Sequence, residues 1–188
     1  MHERQSRSAT SPVRVRHARK TTNSDASIDA IAYLEQQHRE VRELFRQIEG
    51  AEAENGRAAI LRTIADGLAI HAAIEEHHLY AAARPKLVDD ALGDTMDDHR
   101  GIKRILSDIV DVSVSDPDFE AKLRELRDEV ERHVSNEERK LFPKLQRLLS
   151  PAELARIADG MRAEQAELEG SEPRLRVHAS GSSTVDLH

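Results

Sequence analysis

Apolar residues recur at steps of three and four along four successive segments of this chain. In the first segment the stripe runs Ile31, Leu34, His38, Val41 and Phe45, which is the spacing of one face of an α-helix. Similar stripes follow at about 56–83, 92–110 and 117–142. Because the connections are short, neighbouring helices are expected to run antiparallel. The pattern predicts an all-α fold, an up-down-up-down antiparallel four-helix bundle with a short C-terminal fifth helix that begins at Ser150 and Pro151.

Charge is distributed unevenly along the 188 residues. Before Ser24 six basic residues face a single acid, Glu3, so this arm carries +5 and the rest of the chain carries −12 of the net −7. We predict a disordered basic N-terminal arm over 1–23, one helical domain over 24–169 and a disordered Ser- and Gly-rich tail over 170–188. The acidic domain argues against nucleic acid as a partner.

The composition also limits the cellular setting. The chain has no cysteine, which argues against a disulfide scaffold or a thiolate metal site. No apolar run approaches the roughly 18 to 20 residues needed to cross a bilayer. We therefore expect a cytoplasmic protein without a membrane partner, and the pattern does not indicate an oligomeric state.

Polar residues interrupt the apolar stripes at positions where a helix normally buries leucine. Each of the four helices carries one histidine, and the second and fourth add a glutamate one turn later. The six residues are His38, His71, Glu75, His99, His133 and Glu137. The pattern H-x-x-x-E-E-x-x-L, followed by Tyr or Phe, occurs at 71–80 and again at 133–142. The chain therefore looks like two copies of a helical hairpin, each expected to supply one half of a site.

Buried imidazoles and carboxylates in this number indicate metal chemistry. A lone histidine on an apolar stripe is usually a hydrogen-bonded core residue, but six such groups left unpaired would cost several kcal/mol for each ion. Two divalent cations would satisfy the whole set if both glutamates bridged the ions and two histidines capped each ion. Nitrogen and oxygen ligands suit iron or manganese, and zinc is also compatible. With an oxo or hydroxo bridge, each ion would keep one open position for a small molecule.

At these residues the sequence resembles the hemerythrin-like family of HHE cation-binding domains. The resemblance extends over about residues 29–162 and includes HAAIEEHHLY, DDHRGIKRIL and HVSNEERKLFPKL. It implies a di-iron centre with an oxo or hydroxo bridge, in which the four histidines are terminal ligands and the two glutamates are bridges. Family members bind dioxygen, sense oxygen, iron or redox state, handle nitric oxide or decompose peroxide, and the family alone does not choose among these. Oxygen carriers have two histidines one turn apart on the third helix. Here Thr95 and Lys103 occupy the positions four residues before and four residues after His99.

The missing histidine favours redox reactivity or sensing over reversible oxygen carriage. We expect a protein that binds or reacts with peroxide, dioxygen or nitric oxide in a response to oxidative stress, and catalase-like decomposition of peroxide is one form of that activity. The same ligands would serve an iron or oxygen sensor, or a metal-binding protein without turnover. A ferritin-like site would need a glutamate three residues before His133, where Val130 stands. A histidine-phosphotransfer bundle is a non-metal alternative, since HRGIK at 99–103 is similar to a phosphoacceptor motif, but it requires an exposed His99.

The residues next to the two glutamates have separate interpretations. His78 falls on the same stripe one turn beyond Glu75, so it is a candidate proton relay beside the ligands, or a substitute ligand. Tyr80 is interpreted as core packing. A solvated face is the interpretation for the remaining polar neighbours, Glu76, His77 and Glu138.

Overall fold

The computed structural model describes residues 28–87 and 91–174. The basic arm predicted for 1–23 lies outside the described residues, and so does the predicted tail from residue 175 onward. Within the described ranges every regular element is helical, so the all-α prediction is confirmed. The helices are α1 (Ala30–Gly50), α2 (Glu54–Ile74, continued by Glu75–Tyr80 and Ala81–Ala83), α3 (Ala91–Ile109), α4 (Phe119–Asn136, continued by Glu137–Leu141 and Phe142–Leu148) and α5 (Pro151–Leu168).

Capping residues determine where the first and last helices begin. The Asp29 carboxylate accepts the Ala32 N–H at 2.9 Å and starts α1. At α5 the Ser150 hydroxyl accepts the Glu153 N–H at 3.3 Å, while the Glu153 carboxylate accepts the Ser150 N–H at 2.8 Å. This reciprocal capping box, with Pro151 in the first turn, confirms the predicted start of the fifth helix. At 18 residues α5 is about as long as α3, which has 19.

The bundle consists of two helical hairpins. The largest interhelical interfaces join α3 to α4 and α1 to α2, and the short connections at 51–53 and 110–118 reverse the chain within each hairpin. Helix α5 packs against α1 and α2. No helix in the described ranges is long and apolar enough to span a membrane.

A polar layer divides the apolar core into two clusters. One cluster contains Phe119 and lies towards the connections within the hairpins, and the other contains Phe142 and lies under α5. Along α1, Leu34 belongs to the cluster under α5 and Val41 belongs to the other cluster, with His38 between them. The polar stripe residues of the other helices interrupt the core in the same way, so the site lies at mid-height in the bundle.

Two π-helical turns interrupt the long helices, at Glu75–Tyr80 in α2 and Glu137–Leu141 in α4. A π turn holds one residue more than an α turn, so the residues beyond it are rotated by roughly 100° about the helix axis. Both π turns begin at a predicted bridging glutamate. Tyr80 and Phe142, each five residues after that glutamate, consequently point inwards and are 1% exposed.

Arg174, in the predicted C-terminal tail, is bound to α2. The Arg174 backbone N–H donates to Asp66 Oδ1 at 3.1 Å, and the Arg174 guanidinium donates to Oδ2 at 2.5 Å. The segment predicted as a tail from Gly170 therefore begins with residues that contact the bundle.

Candidate metal centre

The six polar stripe residues meet in the middle of the bundle. His71 is the most exposed of them at 6%, and both glutamates are 0% exposed. Glu137 Oε2 lies 3.3 Å from Nε2 of both His38 and His133. Glu75 Oε2 lies 3.4 Å from Nε2 of both His71 and His99. The structure thus brings together the six residues of the predicted ligand set.

Each glutamate connects the two hairpins. Glu75 on α2 contacts His99 on α3, and Glu137 on α4 contacts His38 on α1. Two overlapping donor sets result, each with its donor atoms within 4.8 Å of one another: His38, His71, His133 and Glu137, and His71, Glu75, His99 and His133. The expectation of one half-site per hairpin is wrong, because each donor set combines residues from both hairpins.

Several donor atoms at the centre have no hydrogen-bond partner among the described residues. They are Nε2 of His38 and of His71, both carboxylate oxygens of Glu75 and Oε2 of Glu137. In addition, the Nε2 atoms of His99 and His133 face each other at 3.3 Å. Buried lone pairs without a donor are destabilising, and a divalent cation can accept several of them at once. Imidazole and carboxylate donors in this arrangement fit iron, manganese or zinc, so the residues present fit a metal centre.

Three of the histidines are oriented from outside the centre through their Nδ1 atoms. His38 donates to Glu138 Oε1 at 3.0 Å and His99 donates to Glu76 Oε1 at 2.8 Å. His71 donates instead to the neutral side-chain oxygen of Gln37 at 2.9 Å. A proton on Nδ1 leaves the Nε2 lone pair directed at the centre, which is the tautomer that a metal ligand needs.

The solvated-face interpretation of Glu76 and Glu138 is wrong. Their side chains are only 24% and 30% exposed, and each reaches a histidine on a neighbouring helix. Lys103 donates to the same Glu76 oxygen as His99, at 2.9 Å. The sequence contained a signal for this role, because both copies of the repeat place a second glutamate directly after the central one.

The central groups shift one another's pKa values. Burial, reinforced by the charge of Glu75, raises the pKa of Glu137 to about 8. Burial also opposes ionisation of Glu75, but the imidazoles of His71 and His99, each 3.4 Å from Oε2, outweigh it and hold the pKa of Glu75 well below the ordinary value. Burial lowers the pKa of His71 and, with the charge of His99, the pKa of His133. For His38 and His99, hydrogen bonds to carboxylates outweigh burial and raise the pKa to about 9. A cation must therefore displace protons when it binds these groups.

Tyr80 belongs to the centre, although the sequence suggests only core packing. Its hydroxyl donates to Glu137 Oε1 at 2.6 Å, and its ring stacks on His99 with the centroids 5.7 Å apart. Burial raises the pKa of this phenol well above the ordinary value, so the hydroxyl keeps its proton. Phe142 takes the corresponding position in the second half of the repeat and stacks on His38 at 5.7 Å. In the sequence, Tyr80 and Phe142 each follow a central glutamate by five residues, but only the π turn makes the side chain at that distance point inwards.

The structure does not bring His78 to the centre. Its Nε2 is 2.8 Å from one carboxylate oxygen of Glu164 on α5, and His77 Nδ1 is 2.8 Å from the other. The extra residue of the π turn rotates position 78 off the stripe on which a regular helix would place it. No contact in the described structure connects His78 to the ligands, so its expected roles as proton relay or substitute ligand have no support in this geometry.

The burial of His99 argues against the non-metal alternative, a histidine-phosphotransfer bundle. His99, the phosphoacceptor that a histidine-phosphotransfer bundle would need, is 2% exposed and is covered by the Tyr80 ring. A partner kinase could not reach its imidazole. The phosphotransfer interpretation is therefore wrong.

Comparison with known proteins agrees with this fold. The family described as hemerythrin HHE cation binding domain matches residues 29–145 and also residues 90–178, and the second match starts close to the second hairpin. The crystal structure of a hemerythrin HHE cation binding domain-containing protein from Mycobacterium kansasii superposes with a TM-score of 0.70 at 23% identity, covering 80% of this chain and 99% of that one. A DNA nickase from Nostoc sp. (strain PCC 7120) is 28% identical over 145 residues, or 77% of this chain, and the chain spans 40% of the length of that relative.

Proposed function

Because the chain belongs to the hemerythrin HHE cation-binding domain family, we propose that it is a non-haem di-iron protein that reacts with small oxidants. Hydrogen peroxide, dioxygen and nitric oxide are the proposed ligands, and catalase-like decomposition of peroxide in a cytoplasmic response to oxidative stress is the activity we favour. The convergence of buried donor atoms that have no partner in the described protein supports this proposal.

Each central residue has a role in this proposal. The Nε2 atoms of the four histidines would hold two iron ions, with the carboxylates of Glu75 and Glu137 shared between them and an oxo or hydroxo group as the further bridge; manganese or zinc would also suit these donors. When bound, the iron pair supplies the electron exchange that side chains cannot perform. The residues that orient the imidazoles from outside are Gln37, Glu76 and Glu138.

The surroundings of the centre favour reactivity over oxygen carriage. Neither of the positions beside His99 supplies another imidazole, since Thr95 is buried with its hydroxyl directed at the Ala91 carbonyl and Lys103 donates to Glu76. Tyr80 holds a proton at Glu137 Oε1 in a site buried between the two apolar clusters. Burial strengthens electrostatic contacts with a bound oxidant.

DNA cleavage is not part of the proposal. The chain covers less than half of the DNA nickase that it resembles. Outside residues 1–23 it carries a net charge of −12, which opposes binding to a phosphate backbone.

Anaerobic loading with Fe(II), followed by exposure to oxidant, tests the proposal. We expect two irons per chain by metal analysis, an oxo-to-iron charge-transfer band, and oxygen evolution on addition of peroxide. Glu137→Gln should reduce the iron content below two per chain. Glu125→Gln on the same helix, whose side chain is 54% exposed and pairs with the exposed Arg104, is the matched control and should keep both irons.

The outcomes separate the parts of the proposal. Unchanged iron content in Glu137→Gln would refute the bridging role of that residue. Full loading without oxygen evolution or a spectral response to nitric oxide would refute the enzymatic part and favour a sensor or a metal-binding protein without turnover.

A further inference from the structure

A cavity of about 330 Å³ leads from the surface to one side of the candidate metal centre. It lies between α1 and α2, with residues of α4 and α5 completing its lining, and it reaches the rings of His38, His71 and His133. Its walls are mainly aliphatic, and we call it the α1–α2 passage. The aliphatic wall residues include Val41, Leu44, Ile64, Leu68, Val130 and Val134.

The fourth histidine does not line this passage. His99 lies under the Tyr80 ring, and its Nδ1 is bound to Glu76, which also accepts from Lys103. Thr95 on the same helix is 3% exposed. The passage therefore leads to the donor set that contains His38, and the side of the centre formed by α3 is covered by packed side chains.

Gly67 lines the outer part of the passage on α2. A β-carbon added at Gly67 would have no heavy atom within 4 Å, so the space beside its α-carbon is open. Glycine inside a helix is less favourable than alanine by about 1 kcal/mol, and no close packing requires the small residue at this position. The absence of a side chain at Gly67 can therefore serve to keep the passage open.

The outer part of the passage is acidic. Glu40, Asp66 and Glu169 line it, together with the neutral amide of Gln165. Arg174 pairs with Asp66. Among the described residues, no lysine or arginine lines the passage to neutralise Glu40 and Glu169. An apolar passage with a negative rim favours uncharged molecules and opposes anions, because the charges of the rim act across a low-dielectric opening.

We propose that the α1–α2 passage is the route by which small uncharged oxidants reach the centre, that Gly67 keeps this route open, and that its acidic rim discriminates against anions. The inference rests on the proposed function, since it names the class of molecule that this centre receives. Hydrogen peroxide, dioxygen and nitric oxide are uncharged, whereas superoxide, nitrite and azide are anions.

Xenon binding tests the passage without metal or turnover. In metal-free protein under xenon pressure, the methyl NMR signals of Leu44, Leu68 and Val134 should shift. Gly67→Phe should abolish these shifts while the far-UV circular dichroism stays helical. Ala59→Phe, at an exposed position of the same helix outside the passage, should leave them unchanged. Absence of shifts in the wild type, or equal shifts in Gly67→Phe, would overturn the proposal.

Stopped-flow kinetics on the iron-loaded protein test the selectivity. At equal iron content, Gly67→Phe should slow the reactions with peroxide and with azide at least tenfold. Leu44→Trp narrows the passage from the opposite wall and should do the same, so the test does not depend on one variant. Replacing both Glu40 and Glu169 by glutamine should raise the rate with azide relative to the rate with peroxide several-fold at low salt. Unchanged rates in both narrowed variants would overturn the proposed route. An unchanged ratio of the azide rate to the peroxide rate would overturn the proposed selection against anions.

The two experiments separate this inference from the function on which it rests. Failure to load iron would refute the proposed function and leave the xenon result to decide whether the passage exists. Normal loading and turnover without xenon shifts would refute the passage alone.

Discussion

Glu137→Gln should stabilise the metal-free protein and at the same time weaken the stabilisation that metal provides. Glutamine has the shape of the glutamate, and its side-chain oxygen can still accept the Tyr80 hydroxyl that lies 2.6 Å from Glu137 Oε1. The amide cannot ionise, so the variant removes the cost of burying an ionised carboxyl group whose Oε2 has no hydrogen-bond partner at the centre.

The magnitude of the expected stabilisation follows from the pKa of Glu137, which burial raises from 4.5 to about 8. Between these values the folded protein binds a proton that the unfolded chain has released, so folding becomes less favourable as the pH rises. One pH unit corresponds to about 1.4 kcal/mol, and the interval from pH 4.5 to pH 7 therefore costs about 3 kcal/mol. The penalty is absent below pH 4.5, grows up to pH 8 and then stays constant.

Thermal unfolding of the metal-free proteins measures this penalty. For a chain of this size about 3 kcal/mol corresponds to a rise in Tm of roughly 6 to 12 °C at pH 7, and the difference between variant and wild type should shrink towards pH 5. Metal at a thousand times its Kd should stabilise the wild type by about 4 kcal/mol and the variant by much less. Glu125→Gln should change stability by no more than about 0.5 kcal/mol.

Two results would refute this reasoning. If metal-free Glu137→Gln unfolds at or below the wild-type temperature at pH 7, the carboxyl group is not held in a site that disfavours its charge. If the variant keeps the full stabilisation by metal, the carboxylate is not a bridge between the ions.

Three further outcomes are expected. Tyr80→Phe keeps the stacked ring but loses the hydroxyl donated to Glu137, and should lower stability by about 1 to 3 kcal/mol in urea unfolding; an unchanged midpoint would contradict that hydrogen bond. Gly160→Ala places a β-carbon 2.7 Å from His78 Nδ1, so its loss of stability should largely disappear in a His78→Ala background, and an equal loss in both backgrounds would assign it to another contact. Iron affinity, measured by chelator competition, should rise from pH 6 to pH 8 because binding displaces protons; a constant affinity would contradict the raised pKa values.

The periodicity of the sequence is enough to predict the helices and the six inward polar residues. Apolar stripes at steps of three and four identify the buried face of each helix, and His38, for example, is recognisable because it occupies such a position between Leu34 and Val41. The duplicated H-x-x-x-E-E pattern adds the pairing of His71 with Glu75 and of His133 with Glu137. Local spacing suffices here because side chains one turn apart on a helix share a face whatever the helix packs against.

Periodicity does not determine what lies across from each face. The contact of Glu75 with His99, and the hydrogen bonds from His38 to Glu138 and from His99 to Glu76, depend on the rotation and offset of helices that are distant in sequence. The passage between α1 and α2 depends on the same offsets.

The π turns account for the residues that local reasoning misplaced. One additional residue in the turn after Glu75 moves Tyr80 into the centre and turns His78 towards Glu164 on α5. A regular helix and a helix with a π turn share the same sequence pattern, and packing across the bundle decides between them. The sequence alone therefore determined the helices and the set of inward donors, whereas the tertiary structure decided how those donors are paired, oriented and reached.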